Sequence, residues 1–205
     1  MDLAGPAMLR IYHAPGTRSV RPLWVCFELG LNVEIAPVDF SPAYRNTPEW
    51  RAISPAGKLP ALTDGALTMF ESGAMVDYIL DRYGEGRLRP PAGTAERALC
   101  QQWCWFSEAT LLRPLGLAAL LRDPPEAVVA AALAKAQEAI GVVDAALAGH
   151  THMLGAEFTA ADIMMGYALA FLDHLKLLDG AAHRNVVAYL AHLKTREAFQ
   201  RALST

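Results

Sequence analysis

Apolar and polar positions change their period partway along the chain. Up to about residue 84, short apolar runs alternate with stretches of helical spacing. Leu9 to His13 is a β-like run, followed by a loop with Pro15 and Gly16. Val20, Leu23, Trp24, Phe27 and Leu31 then fall on one helical face. Ser19 stands where an N-cap is expected, Pro22 lies in the first turn, where its missing N–H costs nothing, and Gly30 lies at the stop. Val33 to Val38 predicts a second strand, and residues 42–53 read as weakly helical or irregular, with Pro48 inside. Leu59 to Leu62 and Leu67 to Phe70 are short apolar strands joined by Asp64-Gly65, a hairpin signal. Met75, Val76, Ile79, Leu80 and Tyr83 form a further helical stripe. The order β-α-β-α-β-β-α predicts one mixed sheet with helices packed on it.

The pattern then changes. YGEGRLRPPAGT is rich in turn formers and reads as a linker over 85–94. From Ala95 on, no strand pattern appears. One long helix is expected from Ala95, kinked or ended by Pro114. Others are expected over 126–148, from the Phe158–Asp162 region, over 185–194 and over 197–203. Thr159 and Asp162 have capping-box spacing. The expected organisation is a tail over 1–7, an α/β domain over 8–84, the linker, and an all-helical bundle over 95–205.

Composition narrows the classes. Hydrophobic residues make up 53% and charged residues 19% of the 205 positions, which excludes a disordered chain. A net charge of −3 without a Lys/Arg cluster leaves no footprint for nucleic acid. Charges interrupt every apolar run before it reaches the ~18–20 residues of a membrane span. Three cysteines suit a reducing compartment better than a disulfide framework. Cys100 and Cys104 share a helical face and read as buried core thiols. The opening MDLAGPAM has neither the basic start nor the apolar core of a signal peptide, so a soluble, cytoplasmic protein is expected. His150 and His152 read as a surface loop and no metal site is expected.

Two short motifs can carry chemistry. Pro60 at a strand start removes a ladder donor. A cis bond there would expose the backbone of Leu59 to an extended peptide ligand, whereas proline statistics alone, with ~5–6% of X–Pro bonds cis, favour an ordinary trans loop. Glu71 and Ser72 open a helix. Free N–H groups at a helix start attract a carboxylate, and the adjacent acid can hold an ammonium. Together they suit the α-amino acid end of a ligand. The plainer reading is an N-cap beside a solvated acid.

LRIYHAPGTRSVRPLWVCFELGL, GKLPAL, MFESGAMVDYI, FTAADIMMGYAL and AYLAHLKTREAFQRAL, in this order and spacing, resemble bacterial glutathione S-transferases over nearly the whole chain. The resemblance implies a thioredoxin-like N-terminal domain, an all-helical C-terminal domain and a homodimer. It implies a cis Pro60, with Leu59 pairing the cysteinyl backbone of glutathione. It assigns Glu71 and Ser72 to the γ-glutamyl end and Lys58 to the glycyl carboxylate. Thr159 and Asp162 take a structural capping role.

Family members activate the glutathione sulfur with a Tyr, Ser or Cys near the start of the first helix. Here the candidates are Ser19 and Thr17, ranked equal, with Tyr12 behind them; the cysteine of the Cys-using class falls on Arg18. Both hydroxyls are also candidate caps of that helix. The electrophile is expected between the domains, with Trp103, Phe106, Ser107, Thr110 and Arg113 as candidate wall residues, although such a stripe is also what a helix core looks like. The implied activity is a detoxifying transfer of glutathione, as co-substrate, to a small hydrophobic electrophile. The alternatives are glutathione-dependent isomerisation or peroxide reduction, or a non-catalytic interaction module on the same fold.

Overall fold

The computed structural model describes residues 8–205; the tail expected over 1–7 lies outside them. β1 (Arg10–His13) leads through a tight loop into α1 (Val20–Leu29) and then β2 (Glu34–Pro37). The segment of weak pattern resolves into α2 (Pro42–Arg45) and α3 (Pro48–Ile53). Each begins with proline behind a side-chain cap: Ser41 Oγ accepts from the Tyr44 N–H and Thr47 Oγ1 from the Trp50 N–H. The hairpin β3 (Ala61–Asp64) and β4 (Leu67–Phe70) precedes α4 (Ser72–Tyr83).

The strands order as β2-β1-β3-β4, with β1 parallel to β2 and antiparallel to β3, and β3 antiparallel to β4. This is the thioredoxin-like arrangement. β3 begins two residues later than the Leu59–Leu62 pattern suggests, because Pro60 has no N–H to give the ladder. Asp64 anchors α4 to the hairpin: its carboxylate accepts from the hydroxyls of Tyr78 at 2.6 Å and Tyr83 at 2.5 Å, with Arg82 beside it.

Helix α1 is buried from Val20 to Cys26. Trp24 stacks on Phe199 at 3.8 Å between centroids, and the Arg201 guanidinium lies 4.0 Å over the Phe27 ring. Both partners belong to the last helix, α10 (Glu197–Ser204). The chain therefore divides differently from the expected 8–84 and 95–205. One unit takes the chain up to Glu85 together with Glu197–Thr205, and the other is Gly86–Arg196. The reason is local: α10 buries Phe199 and Ala202, and α1 offers the apolar face that covers them.

The second unit is helical. It holds α5 (Ala95–Trp105), a π-helical stretch over Phe106–Leu112, α6 (Arg113–Ala118), α7 (Glu126–Ala146), α8 (Ala160–His174) and α9 (Arg184–Leu193). The expected linker is tied down, since the Leu88 carbonyl accepts from the Ala160 N–H at 2.7 Å. The helix expected to kink or end at Pro114 changes earlier. It turns π-helical over Phe106–Leu112, and Pro114 falls in the first turn of α6, where its missing N–H costs least. Thr159 and Asp162 form the capping box of α8. Asp162 is buried and also accepts from the Met153 N–H and the Tyr189 hydroxyl, both at 2.8 Å. Cys100 is buried as expected, but Cys104 is only half-buried. Hydrogen bonding with Cys104 lowers the Cys100 thiol to about 7, with the Ala161 main chain and the Thr159 side chain adding to it and burial and the Asp162 carboxylate opposing it. Among the described residues no helix is long and apolar enough to cross a membrane, and no group of three His, Cys, Asp or Glu side chains is placed to hold a metal ion.

If α10 is part of the first unit's core, Phe199→Ala should cost about 3–5 kcal/mol in urea unfolding, the usual range for emptying a buried aromatic site. A loss below about 1 kcal/mol would show that the stack on Trp24 carries no weight.

Candidate functional site

Three loops meet at one end of the sheet because of strand register. Tyr12 pairs with Ala61, and Ala61 with Phe70, so these residues form the last row across β1, β3 and β4. Beyond that row the chain continues into Ala14–Ser19 from β1 and Glu71–Ser72 from β4, and it enters β3 from Leu59–Pro60. Ala14, Trp50, Leu59 and Ala61 share one buried cluster, which fixes the first loop against the second. Tyr12 is packed edge-on against Trp50 at 5.7 Å.

The β1–α1 loop carries a chain of short hydrogen bonds. His13 Nδ1 lies 2.7 Å from Ser19 Oγ, and Ser19 Oγ lies 2.6 Å from Thr17 Oγ1. The Thr17 hydroxyl also donates to the Ala14 carbonyl at 2.7 Å. Ser19 is 0% exposed, whereas Thr17 is half-buried. Neither hydroxyl caps α1. Ser19 already has helical φ and ψ of −63° and −19°, and a capping side chain needs extended backbone. It turns inward instead, where buried His13 needs a polar partner. Burial pushes the His13 ring below its ordinary pKa, and the Thr205 main chain opposes that shift. Arg18 stands half-buried between the two hydroxyl residues.

The second loop is held from behind. The Ser54 hydroxyl donates to the Lys58 carbonyl at 2.8 Å and accepts from the Lys58 N–H at 3.2 Å. Gly57 has φ 61°, and a Cβ there would lie 2.8 Å from the Arg45 carbonyl, so only glycine fits. Lys58 is exposed, Leu59 is buried, and the Leu59–Pro60 bond is cis.

At the third loop Glu71, not Ser72, is the N-cap residue of α4. Ser72 is the first helical residue and is buried, accepting from Arg21 Nη1 at 3.1 Å. Arg21 is itself 0% exposed, so a guanidinium charge is buried beneath the start of α4. Glu71 has φ 76° and ψ 108°, a sparsely populated region for a residue with a Cβ, and its carboxylate is exposed. An exposed carboxylate thus stands beside helix N–H groups that are backed by a cation. The pair can face an ammonium and a carboxylate on adjacent atoms.

The remaining candidates lie in the second unit. Trp103 and Phe106 meet edge to face at 5.3 Å, both half-buried. Thr110 and Arg113 are exposed, on the π-helical stretch and at the start of α6, and Ser107 is buried with its hydroxyl on the Cys104 carbonyl. Sequence reasoning passed over His13 and Arg21. His13 follows Ile11 on the inward side of β1, and Arg21 is the lone charge among Val20, Pro22, Leu23, Trp24 and Val25. A charge or imidazole at a position the pattern buries is the signal.

The chain matches the model of the glutathione S-transferase N-terminal domain over residues 7–81 and that of the C-terminal domain over 126–192. Glutathione S-transferase 3 of Zea mays is 33% identical, with 97% of this chain and 94% of that protein covered. The chain belongs to the glutathione S-transferase family. A glutathione transferase from Methylococcus capsulatus superposes with a TM-score of 0.86 at 28% identity, covering 96% of this chain and 98% of the other. A sphingomonad glutathione S-transferase complexed with glutathione gives 0.83 at 27% identity, covering 95% and 97%. These relatives come from plants as well as bacteria, so the family, rather than a bacterial branch of it, is the assignment. The sheet end described above lies within the residues matched by the N-terminal domain model.

The left-handed backbone of Glu71 gives a direct test. Glycine adopts φ 76° without the Cβ penalty. Glu71→Gly should therefore be more stable than Glu71→Ala by about 1–2 kcal/mol in urea unfolding. Equal stabilities would mean that the backbone is not strained.

Proposed function

We propose that this chain binds glutathione at the three-loop end of its sheet and holds the sulfur as a thiolate for attack on a small hydrophobic electrophile. The observation that carries the reading is the Thr17 hydroxyl, half-buried and held between the Ala14 carbonyl and Ser19 Oγ. Ser19 is fully buried, so Thr17 is the hydroxyl that meets the sulfur and Ser19 holds it from behind. A free thiol ionises near pH ~8.5, and each unit of lowering is worth ~1.4 kcal/mol. On binding, the Thr17 hydroxyl turns from the Ala14 carbonyl to the sulfur, and this donor near the start of α1 supplies part of that preference.

The other contacts follow the chemistry of the tripeptide. The Leu59 main chain, exposed ahead of Pro60, pairs with the cysteinyl backbone. Lys58 takes the glycyl carboxylate. The Glu71 carboxylate holds the γ-glutamyl ammonium, and Ser72 with the α4 N-terminus holds its carboxylate, the charge of Arg21 adding to the field. Trp103, Phe106, Thr110 and Arg113 are the candidates to touch the electrophile. We propose no metal in this chemistry, and a cytoplasmic homodimer with a detoxifying role.

Two variants test these roles. Glu71→Ala should weaken glutathione binding by about 1.5–3 kcal/mol in calorimetry, the range for hydrogen bonds to charged groups; unchanged affinity removes the ammonium role. Thr17→Ala should abolish the thiolate absorbance of bound glutathione while Thr17→Ser keeps it. Persistence of that absorbance in Thr17→Ala would move the sulfur contact to another group.

A further inference from the structure

The hydrogen bonds of the β1–α1 loop have a direction. The Thr17 hydroxyl gives its one proton to the Ala14 carbonyl at 2.7 Å. In the 2.6 Å contact with Ser19 Oγ, Thr17 Oγ1 must therefore accept and Ser19 must donate. The same carbonyl lies 3.5 Å from Ser19 Oγ and competes weakly for that proton. Ser19 Oγ can then only accept in its 2.7 Å contact with His13, so Nδ1 carries the hydrogen. His13 is buried, and its Nε2 makes no hydrogen bond among the described residues. Burial lowers the basicity of the ring, and the Thr205 main chain opposes that shift. The ring is thus a neutral donor, and the chain runs one way, from the buried imidazole out to the half-buried threonine.

Resting on the glutathione reading above, we infer that His13 and Ser19 are positioning residues that aim a line of donors at the sulfur of bound glutathione. The imidazole N–H donates to Ser19, the Ser19 O–H to Thr17, and the Thr17 O–H to the thiolate. Only the last link moves on binding. The Thr17 hydroxyl leaves the Ala14 carbonyl, which keeps the Thr17 N–H at 3.3 Å. No proton crosses the chain. The thiol proton goes to solvent, the sulfur keeps the bonding electron pair, and the ring keeps its single hydrogen on Nδ1. Nothing is oxidised or reduced.

The chain supplies polarisation and direction. A hydroxyl that accepts one hydrogen bond donates the next more strongly, and the effect grows where water is absent. Ser19 is 0% exposed, so both of its bonds lie in that setting. The direction depends on His13. If Nδ1 were bare, the Ser19 proton would turn to it, and Thr17 would lose the donor behind its oxygen. The line would then point away from the sulfur. An imidazole held with its hydrogen on Nδ1 prevents that reversal, and it acts on the sulfur only through Ser19.

The test titrates the thiolate absorbance of bound glutathione against pH in the natural chain, Ser19→Ala, His13→Gln, His13→Asn, and Ser19→Ala combined with His13→Gln. Arg18 is the same in every form, so its field is common to all. S-methylglutathione, which has no thiol proton, gives the binding affinity separately. The asparagine amide can place an N–H where Nδ1 has one, whereas the longer glutamine amide reaches toward the place of Nε2. Ser19→Ala and His13→Gln should each raise the titration of the bound thiol by about half a pH unit, a roughly threefold loss of thiolate below its midpoint. His13→Asn should stay near the natural value, and the double variant should rise no further than Ser19→Ala. S-methylglutathione affinity should not move. Ser19→Ala leaves the imidazole in place and answers the question even if a His13 variant does not fold. An unchanged titration in Ser19→Ala, an equal rise in His13→Asn and His13→Gln, or shifts that add in the double variant overturns the donor line. If the natural chain binds neither glutathione nor S-methylglutathione, the glutathione reading falls and the donor line with it. If it binds both and only the titrations fail to move, the donor line alone falls.

Discussion

Burial of α1 on nearly every side is the constraint from which the site follows. The sheet lies against one face, α4 against another, and α10 closes the Trp24 side. A helix packed that way leaves no water for its polar residues, and each must find a partner inside the fold. Ser19 finds His13, and Arg21 finds Ser72. Those two pairings orient the loop after β1 and the first residue of α4. The geometry around the candidate ligand is thus a by-product of satisfying buried polar groups. A buried charge such as Arg21 is weak evidence of stability, since apolar replacements of similar volume are often as stable. Its position under a helix start gives it an electrostatic use that an apolar side chain cannot supply.

Much of the first unit was legible because its signals are local. The Asp64-Gly65 turn, the Gly30 stop at φ 70° and the helical stripe of α4 each depend on residues close in sequence. The misplaced boundary of β3 is also local, and the missing N–H of Pro60 explains it. The assignment of α10 could not be read in that way. Phe199 and Ala202 announce an apolar stripe, but nothing within eight residues says which surface covers it. That partner is Trp24, far away in sequence. The π-helical stretch was hidden for a different reason. Its residues have ordinary helical spacing, and nothing in that spacing separates a π turn from an α turn.

The candidate site divides in the same way. Leu59, Pro60, Glu71 and Ser72 stand out as motifs, and register alone places them in neighbouring loops, because Tyr12, Ala61 and Phe70 share a row. The capping roles expected of Ser19 and Ser72 do not appear. Residue type suggested a cap in both cases, but capping depends on the backbone of the residue that carries the hydroxyl. Ser19 is already helical and Ser72 is already inside α4, so each hydroxyl was free to face a buried partner. Sequence gives the type and the structure gives the φ and ψ, and only the two together separate a cap from a buried donor.

The groups at this end of the sheet fall into two layers with different physics. Lys58 and Glu71 are exposed and Thr17 half-exposed, and they can touch a ligand; His13, Ser19, Arg21 and Ser72 are buried behind them. An exposed charge acts through a medium of high dielectric and is screened by salt, so its contribution depends on direct contact. A buried charge or dipole acts over a longer distance at lower dielectric, so it can alter the field at a sulfur or a carboxylate that it never touches. The front layer can therefore select by direct contact, whereas the back layer sets the field in which those contacts are made. Burial of α1 gives this chain the second layer without any residue dedicated to contact.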